Sequence, residues 1–491
     1  MLSVEEIKKF MDEDRASTKK IKAAEGQRYY ESEHDILKCR LFYYNEDGKL
    51  TEDKYRSNIK ISHPFFKILI DELSPYMLSF EEHPIRAKET AEGLQEYLDE
   101  YFDDDFWSEI GDLIDGTGIK GFEYLYGYKN ENNRMTFECA DSMGVVDVKA
   151  KYTKEKKDYK IYHYLDTDMT EKGKKTVIKI QVWDDKETYY YVQEGITGEI
   201  ELDKTVEINP RPHVVSVDKK AGKKNGAPLG FIPFWRLDNN RKQFSSLKPV
   251  KPLIDDYDLH ACSLSNNLKD FDTPLHVVRG FQGDNLDELF QNIKTKKMIG
   301  VDEGGGVDIQ TVDIPYQARK EKLDIDEKNI YIFGMGFNPS QVGDGNITNI
   351  VIKSRYTLLD LRAEKLEKRL KKLLKEIVKV VLDEINAEHG TGYQISDVRI
   401  EKFKKNTPTN DSENVANKKT EAEIQQIRLN TILNVAAQIG DEKTLQLICD
   451  ELDIDFEEIK GELEKMQEEQ KLVEAKTALT KVIPENEPVI E

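Results

Sequence analysis

No apolar run in this sequence approaches the roughly 18 residues needed to cross a bilayer. The opening stretch, MLSVEEIKKFMDEDRASTKK, alternates charges where an export signal would carry an apolar segment. A cytosolic product, neither exported nor membrane-spanning, is expected. Cysteine is scarce: Cys39, Cys139, Cys262 and Cys449 stand far apart with no CxxC pair, so neither a disulfide framework nor a thiolate zinc site is suggested. Positive charge is in deficit, with 73 Lys and Arg against 94 Asp and Glu and a formal charge of −21. Tight sequence-blind DNA binding needs the opposite, a cationic excess that displaces phosphate counterions. Catalytic signatures are missing as well. Without GxxxxGK[ST], the glycines at 304–306 and in Gly343-Asp344-Gly345-Asn346 lack the lysine of a phosphate cradle and read as turns. The eight histidines show no HExxH spacing, and no GxSxG elbow occurs. DGNIT lacks the closing glutamate of a calcium loop. No enzyme activity, metal or cofactor is expected.

The sequence does hold a very long helix. From Ile350 to about Glu388, apolar residues fall at Leu359, Ala363, Leu366, Leu370, Leu373 and Ile377, alternating steps of four and three. That spacing keeps one face against a partner, and such a helix would run roughly 55–60 Å. Its outer face collects Arg362, Lys365, Lys368, Arg369, Lys371, Lys372, Lys375 and Lys379. It follows a Gly/Asn-rich loop, FGMGFNPSQVGDGNITN, and stops at His389-Gly390-Thr391-Gly392. A chain of 491 residues has room for two to four modules hung on this spine.

The segment before the spine reads as follows. Residues 1 to about 30 predict one helix with Val4, Ile7 and Met11 on one side. NIKISHPFFKILIDELSPYML and LQEYLDEYFDDDFWSEIGDLIDG predict further helices, the acidic Asp103-Asp104-Asp105 being a solvated face. From Gly121 to about Ile208 the period falls to two, predicting a half-exposed antiparallel meander. GFIPFWRLDNN gives a short strand, and a helix after Pro252 leads to a small α/β insert over 272–314. In that insert DNLDELFQNIKTKK reads as a helix, and MIGVD-EGGG-VDIQTVDI as two strands around a glycine turn. A second helix, PYQARKEKLDIDEKNIYIFGM, returns towards the loop: a stalk out, a tip, a stalk back. After the spine, YQISDVRIEKFKKN alternates like a strand. The residues from there to about Gln470 read as helical hairpins around Gly440, before an acidic, proline-containing tail.

Several segments together, in order, resemble one family. They are Arg28-Tyr29-Tyr30 with His34, NIKISHPFFKILIDELSPYML, GFIPFWRLDNN followed by LKPVKPLIDDYD, and GDGNITNIVIKSRYTLLDLRAEKLEKRL with a later NDSE. This order resembles the portal proteins of tailed bacteriophages, in the SPP1-type branch, over about residues 25–470. The resemblance implies an α+β portal fold: wing (1–245), outgoing stem (246–271), clip (272–314), returning stem (315–336), tunnel loop (337–349), spine helix and wing strand (350–406), crown (407–475) and flexible acidic tail (476–491). It implies a ring, normally of twelve copies, at one capsid vertex. Double-stranded DNA would be packaged through it by a terminase motor and later ejected. The implied partners are the terminase large subunit, head-completion or adaptor proteins, and scaffolding and major capsid proteins, with no membrane. The implied setting is the virion, and the host cytoplasm during assembly.

The implied sites follow from those segments. Asn338, Gln341, Gly343, Asp344, Gly345, Asn346, Thr348 and Asn349 would form the tunnel loop. Lys320, Glu321, Lys322, Asp324, Asp326, Glu327 and Lys328 would line the channel, mixing charges so that no tight grip on phosphates results. Asp284, Asn285, Glu288, Lys294, Glu303, Gly304, Gly305 and Gly306 would dock partners at the clip. Two rival classes remain: a coiled-coil scaffold using the spine seam alone, and a metal-dependent nucleic-acid enzyme.

Overall fold

The computed structural model describes residues 1–54, 56–130, 133–170, 173–195, 197–217, 224–271, 275–281, 285, 301–310, 316–338, 349–403, 411–452 and 456. The chain divides into two units, Met1–Asp344 with Lys353–Thr407, and Gly345–Ile352 with Pro408–Glu491.

The first unit opens with α1 (Val4–Arg15) and α2 (Thr18–Tyr30). The single helix expected to residue 30 is interrupted because Ser17 caps α2, accepting the Lys20 amide, much as Ser3 and Glu6 form a capping box on α1. Ile7 and Met11 are buried as expected, whereas Val4 is exposed. Next come the hairpin β1 (Phe42–Tyr44) and β2 (Leu50–Glu52), then α3 (Phe65–Asp71), α4 (Leu73–Met77), β3 (Ile85–Ala87), α5 (Leu94–Tyr101) and α6 (Asp104–Lys120). Gly121 ends α6 with a left-handed φ of +92°, and a Cβ there would stand 2.4 Å from the Gln243 carbonyl oxygen. Only glycine meets both conditions without strain.

The strands that follow are β4 (Phe122–Lys129), β5 (Met135–Ala140), β6 (Val145–Val148), β7 (Tyr159–Thr170), β8 (Gly173–Trp183), β9 (Glu187–Glu194), β10 (Ile200–Leu202), β11 (Arg211–Pro212), β12 (Val214–Val217), β13 (Lys224–Ala227) and β14 (Phe234–Asp238). They do not form one meander. Strands β6 to β10 pair antiparallel in sequence order, with β11 added beside β9 and β12 paired to β13. One face of that sheet packs on α1, where Ile161, Ile180, Val182 and Tyr191 meet Ile7 and Met11. β4 and β5 instead join β14 in a separate sheet of order β14-β4-β5, and this sheet is covered on both faces. Phe122, Tyr124 and Phe234 pack with Trp183 on one side, while Leu125, Phe137 and Trp235 enter a larger core on the other. Alternation sends successive side chains to opposite faces, and an apolar-aromatic run does not tell whether the second face meets water or another core.

Beyond these strands, α7 (Lys251–Phe271) leads to β15 (Leu275–Phe281) and β16 (Val301–Gln310), and α8 (Tyr316–Gly334) returns. Ile254 near the start of α7 clusters with Ile330 and Tyr331 near the end of α8, alongside Tyr29, Phe66 and Leu69. The two helices therefore run out and back. The expected pair of strands around a glycine turn is one strand: β16 runs through Glu303-Gly304-Gly305-Gly306 and pairs with β15. Its register slips between Arg279 and Phe281, where Gly280 and Gly304 (φ +67° and +89°) admit a bulge. The helix expected over DNLDELFQNIKTKK lies outside the described residues, Asn285 apart.

The 41-residue helix α9 (Asn349–His389) is the long spine that the spacing predicts. All six seam residues are buried, and Leu374, Val378, Val381, Leu382 and Ile385 widen the seam. Its partners in that large core include Leu73 and Met77 of α4, Leu98 of α5, and Phe106, Ile110 and Leu113 of α6. Each such side chain is worth roughly 2 kcal/mol when taken from water, so packing rather than helix propensity holds α9 in place. Beyond it, the strand that the alternation predicts is short, β17 (Val398–Ile400), and pairs antiparallel with β3. In the second unit, α10 (Asp411–Ile439) and α11 (Asp441–Leu452) pack on each other across Gly440, whose φ is +85°. The acidic tail lies outside the described residues.

Candidate functional site

The stem charges sit on α8. Lys320, Glu321, Asp324 and Lys328 are exposed and Glu327 is half-buried. Asp326 departs from the expectation, being 3% exposed. Its carboxylate pairs with Lys322, which also reaches Asp256 of α7. Two of the seven residues expected to face a channel, Lys322 and Asp326, thus tie α7 and α8 together.

The first half of α7 is locked to the N-terminal segment. Asp258 of α7 is fully buried and accepts from two imidazoles, His34 Nδ1 at 2.6 Å and His63 Nδ1 at 2.7 Å, and from the His63 amide at 3.0 Å. Burial pushes this carboxyl upward, but the hydrogen bonds from His34 and His63 outweigh it and hold the group below the usual carboxylate value. Both rings must carry their proton on Nδ1 to donate here. Around them, the Tyr29 hydroxyl donates to Asp255, and Lys251 bridges Asp35 and Asp255 at 2.7 Å each. Arg28 reaches Asp35 at 2.7 Å. Against the opposing effect of burial, Lys251 with Tyr29 and Arg28 holds the Asp35 carboxyl down to about 2. The RYY…H segment and the KPLIDDYD segment, nearly 230 residues apart at Tyr29 and Asp255, therefore meet as one polar lock.

A second junction closes the base of the loop before α9. Phe337 stacks on Tyr356 at 4.6 Å between ring centroids, and Tyr356 stacks on Tyr76 at 5.8 Å. The Tyr76 hydroxyl donates to Asp360 at 2.6 Å. Phe337, and Tyr356 in the second turn of α9, are thus both held against α4. The Phe337 amide donates to Glu72 at 3.2 Å. Gly336 makes this approach possible, since a Cβ there would stand 2.2 Å from Leu69 Cδ2 and 2.5 Å from Glu72 Oε1. Burial pushes the Glu72 carboxyl up to about 7, against the Phe337 amide and Arg362. Arg362, expected on the basic outer face, is instead turned inward. Its Nη1 donates to the Leu69 carbonyl at 2.6 Å and lies 4.0 Å from Glu72. Arginine at position 362 is one step from the seam residue Ala363, and the heptad alone could not place it.

The remaining expected positions divide. Asn338 is half-buried, and Asn349 already belongs to α9 rather than to the loop. Gln341, Gly343, Asp344, Gly345, Asn346 and Thr348 lie outside the described residues, as do Asp284, Glu288 and Lys294. Asn285, Glu303 and Gly304 are exposed and Gly305 and Gly306 half-buried, the four from Glu303 to Gly306 in the bulged strand of the tip. Sequence reasoning missed Asp258, His63, Glu72, Tyr76, Phe337 and Tyr356 as functional positions. Three of them, His63, Glu72 and Tyr76, fall within NIKISHPFFKILIDELSPYML, so the segment carried the signal without saying what it bonds.

The out-and-back helices α7 and α8 with the β15–β16 pair beyond them, and the 41-residue α9, make up an α+β fold of the portal type. The chain belongs to the phage portal protein family, SPP1 Gp6-like, whose model matches residues 11–474. It is similar to the portal protein of Bacillus phage SPP1, at 28% identity over 70% of this chain and 66% of that protein. It is also similar to the portal protein of Clostridium phage phiCD119, at 23% identity over 78% of this chain and 82% of that protein.

Proposed function

We propose that copies of this chain close into a ring, of about twelve by analogy with the family, at one vertex of a phage head, and that double-stranded DNA passes through its centre during packaging and ejection. Membership of the portal family carries the reading, supported by the out-and-back pair α7 and α8 with its stranded tip. The tip docks the terminase large subunit and then head-completion proteins, and the ring nucleates scaffolding and major capsid proteins in the host cytoplasm. The chain itself performs no catalysis; ATP is spent by the separate motor.

Duplex DNA carries one charge per roughly 1.7 Å of axis, and a lumen that bound phosphates tightly would stall it. The exposed stem residues Lys320, Glu321, Asp324 and Lys328 balance one another, and the segment NPSQVGDGNITN contains no lysine or arginine. Contacts with DNA are then weak and interchangeable, and any grip by the loop is steric. The coiled-coil scaffold reading is disfavoured because the α9 seam is already buried in the chain's own core. Negative-stain microscopy of the purified chain should reveal rings with an axial hole. Asn346→Lys should slow packaging in an in vitro assay; an unchanged rate and packaged length would refute close approach of the loop to DNA.

A further inference from the structure

We propose that the lysine row on the solvent side of α9 is one half of the contact between neighbouring copies of this chain, the other half being the acidic face of α6 on the next copy. This rests on the ring reading and specifies the interface within it. Lys365, Lys368, Lys372, Lys375 and Lys379 follow at steps of three and four, which places them in one stripe opposite the buried seam. At 1.5 Å per residue the stripe is about 21 Å long. All five are exposed, and Glu376 is the one other exposed residue between 365 and 379. None of the five is ion-paired among the described residues, although Lys371, just off the stripe, pairs with Glu367 at 2.8 Å. Gathering like charges on one helix face is unfavourable in isolation, and no ion pair among the described residues offsets it, in a chain of net charge −21.

The matching excess lies on α6. Asp104, Asp105 and Asp112 are exposed and Glu109 is half-buried. Asp105, Glu109 and Asp112 repeat the four-and-three step. Asp105 and Glu109, with Glu100, Asp103 and Glu138, border a cleft of about 430 Å³ in which Arg134, 3.5 Å from Glu100, is the lone cation among the described lining residues. Burial pushes the Glu109 carboxyl upward against the Cys139 amide that donates to it, and Asp112, Glu138 and Asp105 add smaller pushes in the same direction. Both helices bury their apolar faces in the same core, Phe106 and Ile110 from α6 and Leu370 and Leu373 from α9. Their charged faces therefore turn outward from that core, and no ion pair joins them among the described residues. Complementary surfaces at two places on one subunit make a head-to-tail contact, the kind that closes into rings. Binding of duplex DNA to the lysines would leave the acidic face unpaired, whereas a second copy satisfies both.

The test compares four full-length proteins by mass photometry: wild type, Lys368→Glu/Lys372→Glu/Lys375→Glu, Asp104→Lys/Asp105→Lys/Asp112→Lys, and all six changes together. Each triple variant should raise the concentration for half-assembly about tenfold or more at 0.1 M salt, and the six-fold exchange should restore rings. Wild-type rings should dissociate more readily at 0.5 M salt. Circular dichroism checks folding. Should a reversal variant not fold, Lys368→Gln/Lys372→Gln/Lys375→Gln replaces it, with partial loss of rings expected. Rings unaffected by either triple variant would overturn the interface, as would loss of rings in folded triple variants without recovery in the combination. Intact rings with lost binding of a 30-base-pair duplex in the lysine variant would reassign the stripe to DNA. A wild-type chain that forms no ring at any concentration would overturn the ring reading itself.

Discussion

Replacing Glu72 by glutamine should stabilise the subunit at pH 8 and change little near pH 4. Burial carries this carboxyl from an ordinary value of 4.5 up to about 7. A native acid with a raised pKa binds its proton more tightly than the unfolded chain does. The stability from the neutral acid is therefore complete below 4.5 and lost as pH rises from 4.5 through 7. The gap between about 7 and 4.5, at 1.36 kcal/mol for each tenfold, sets the full loss at about 3 kcal/mol. Glutamine cannot ionise, yet its amide oxygen can still accept the Phe337 N–H. Urea unfolding of the dissociated subunit, wild type against Glu72→Gln at half-unit steps from pH 4 to 8, should give a difference that grows to at most about 3 kcal/mol in the variant's favour. Asp115, which burial pushes up to about 6, titrates in an overlapping window but is present in both proteins. If the variant were instead less stable at pH 8 by more than about 1 kcal/mol, an ionised Glu72 would be drawing net stability from Arg362. Loss of a working buried pair is destabilising in that way, and the burial argument would be wrong.

Three further substitutions probe the other junctions. Asp258→Asn leaves the buried His34 ring and the half-buried His63 ring with one carbonyl oxygen between them and should lower stability by about 2–3 kcal/mol, with faster hydrogen exchange at the start of α7. Gly336→Ala forces a methyl into Leu69 and Glu72 and should cost about 1–3 kcal/mol; proteolysis between residues 337 and 356 should accelerate, and an unchanged cleavage rate would refute the pinned loop base. Leu370→Ala empties a fully buried seam position and should cost about 2–5 kcal/mol, seen as a lower denaturation midpoint with unchanged m-value. An effect below about 1 kcal/mol would mean that α9 is not clamped as described.

The long helix was legible because a repeating four-and-three step over many turns has no competing explanation, and its ends were marked by glycine-rich neighbours. The out-and-back stalk was legible for a similar reason, two helical patterns flanking β-branched runs. The division of the strands was not, because β4 and β6 alternate alike and only the distant return of β14 decides which sheet β4 joins. Nor did periodicity reveal the polar lock. Asp258 reads as one more charge on an amphipathic helix until His34 and His63 arrive from elsewhere in the chain. Arg362 and Asp326 were misplaced by the same assumption, that a charged residue beside an apolar stripe faces water. Each is compensated when buried, Arg362 by a carbonyl and Asp326 by Lys322, and compensation is a property of three-dimensional neighbours.

The seam of α9 also sets a constraint on synthesis. Leu98, Ile110 and Leu113 leave the ribosome well before Leu359 to Ile385, which complete their packing. Making the intervening residues takes on the order of tens of seconds at typical translation speeds. For that interval the N-terminal helices display an unfinished apolar face, so products truncated ahead of Asn349 should precipitate or remain chaperone-bound, and competence to assemble should arise abruptly once the ribosome has passed the spine.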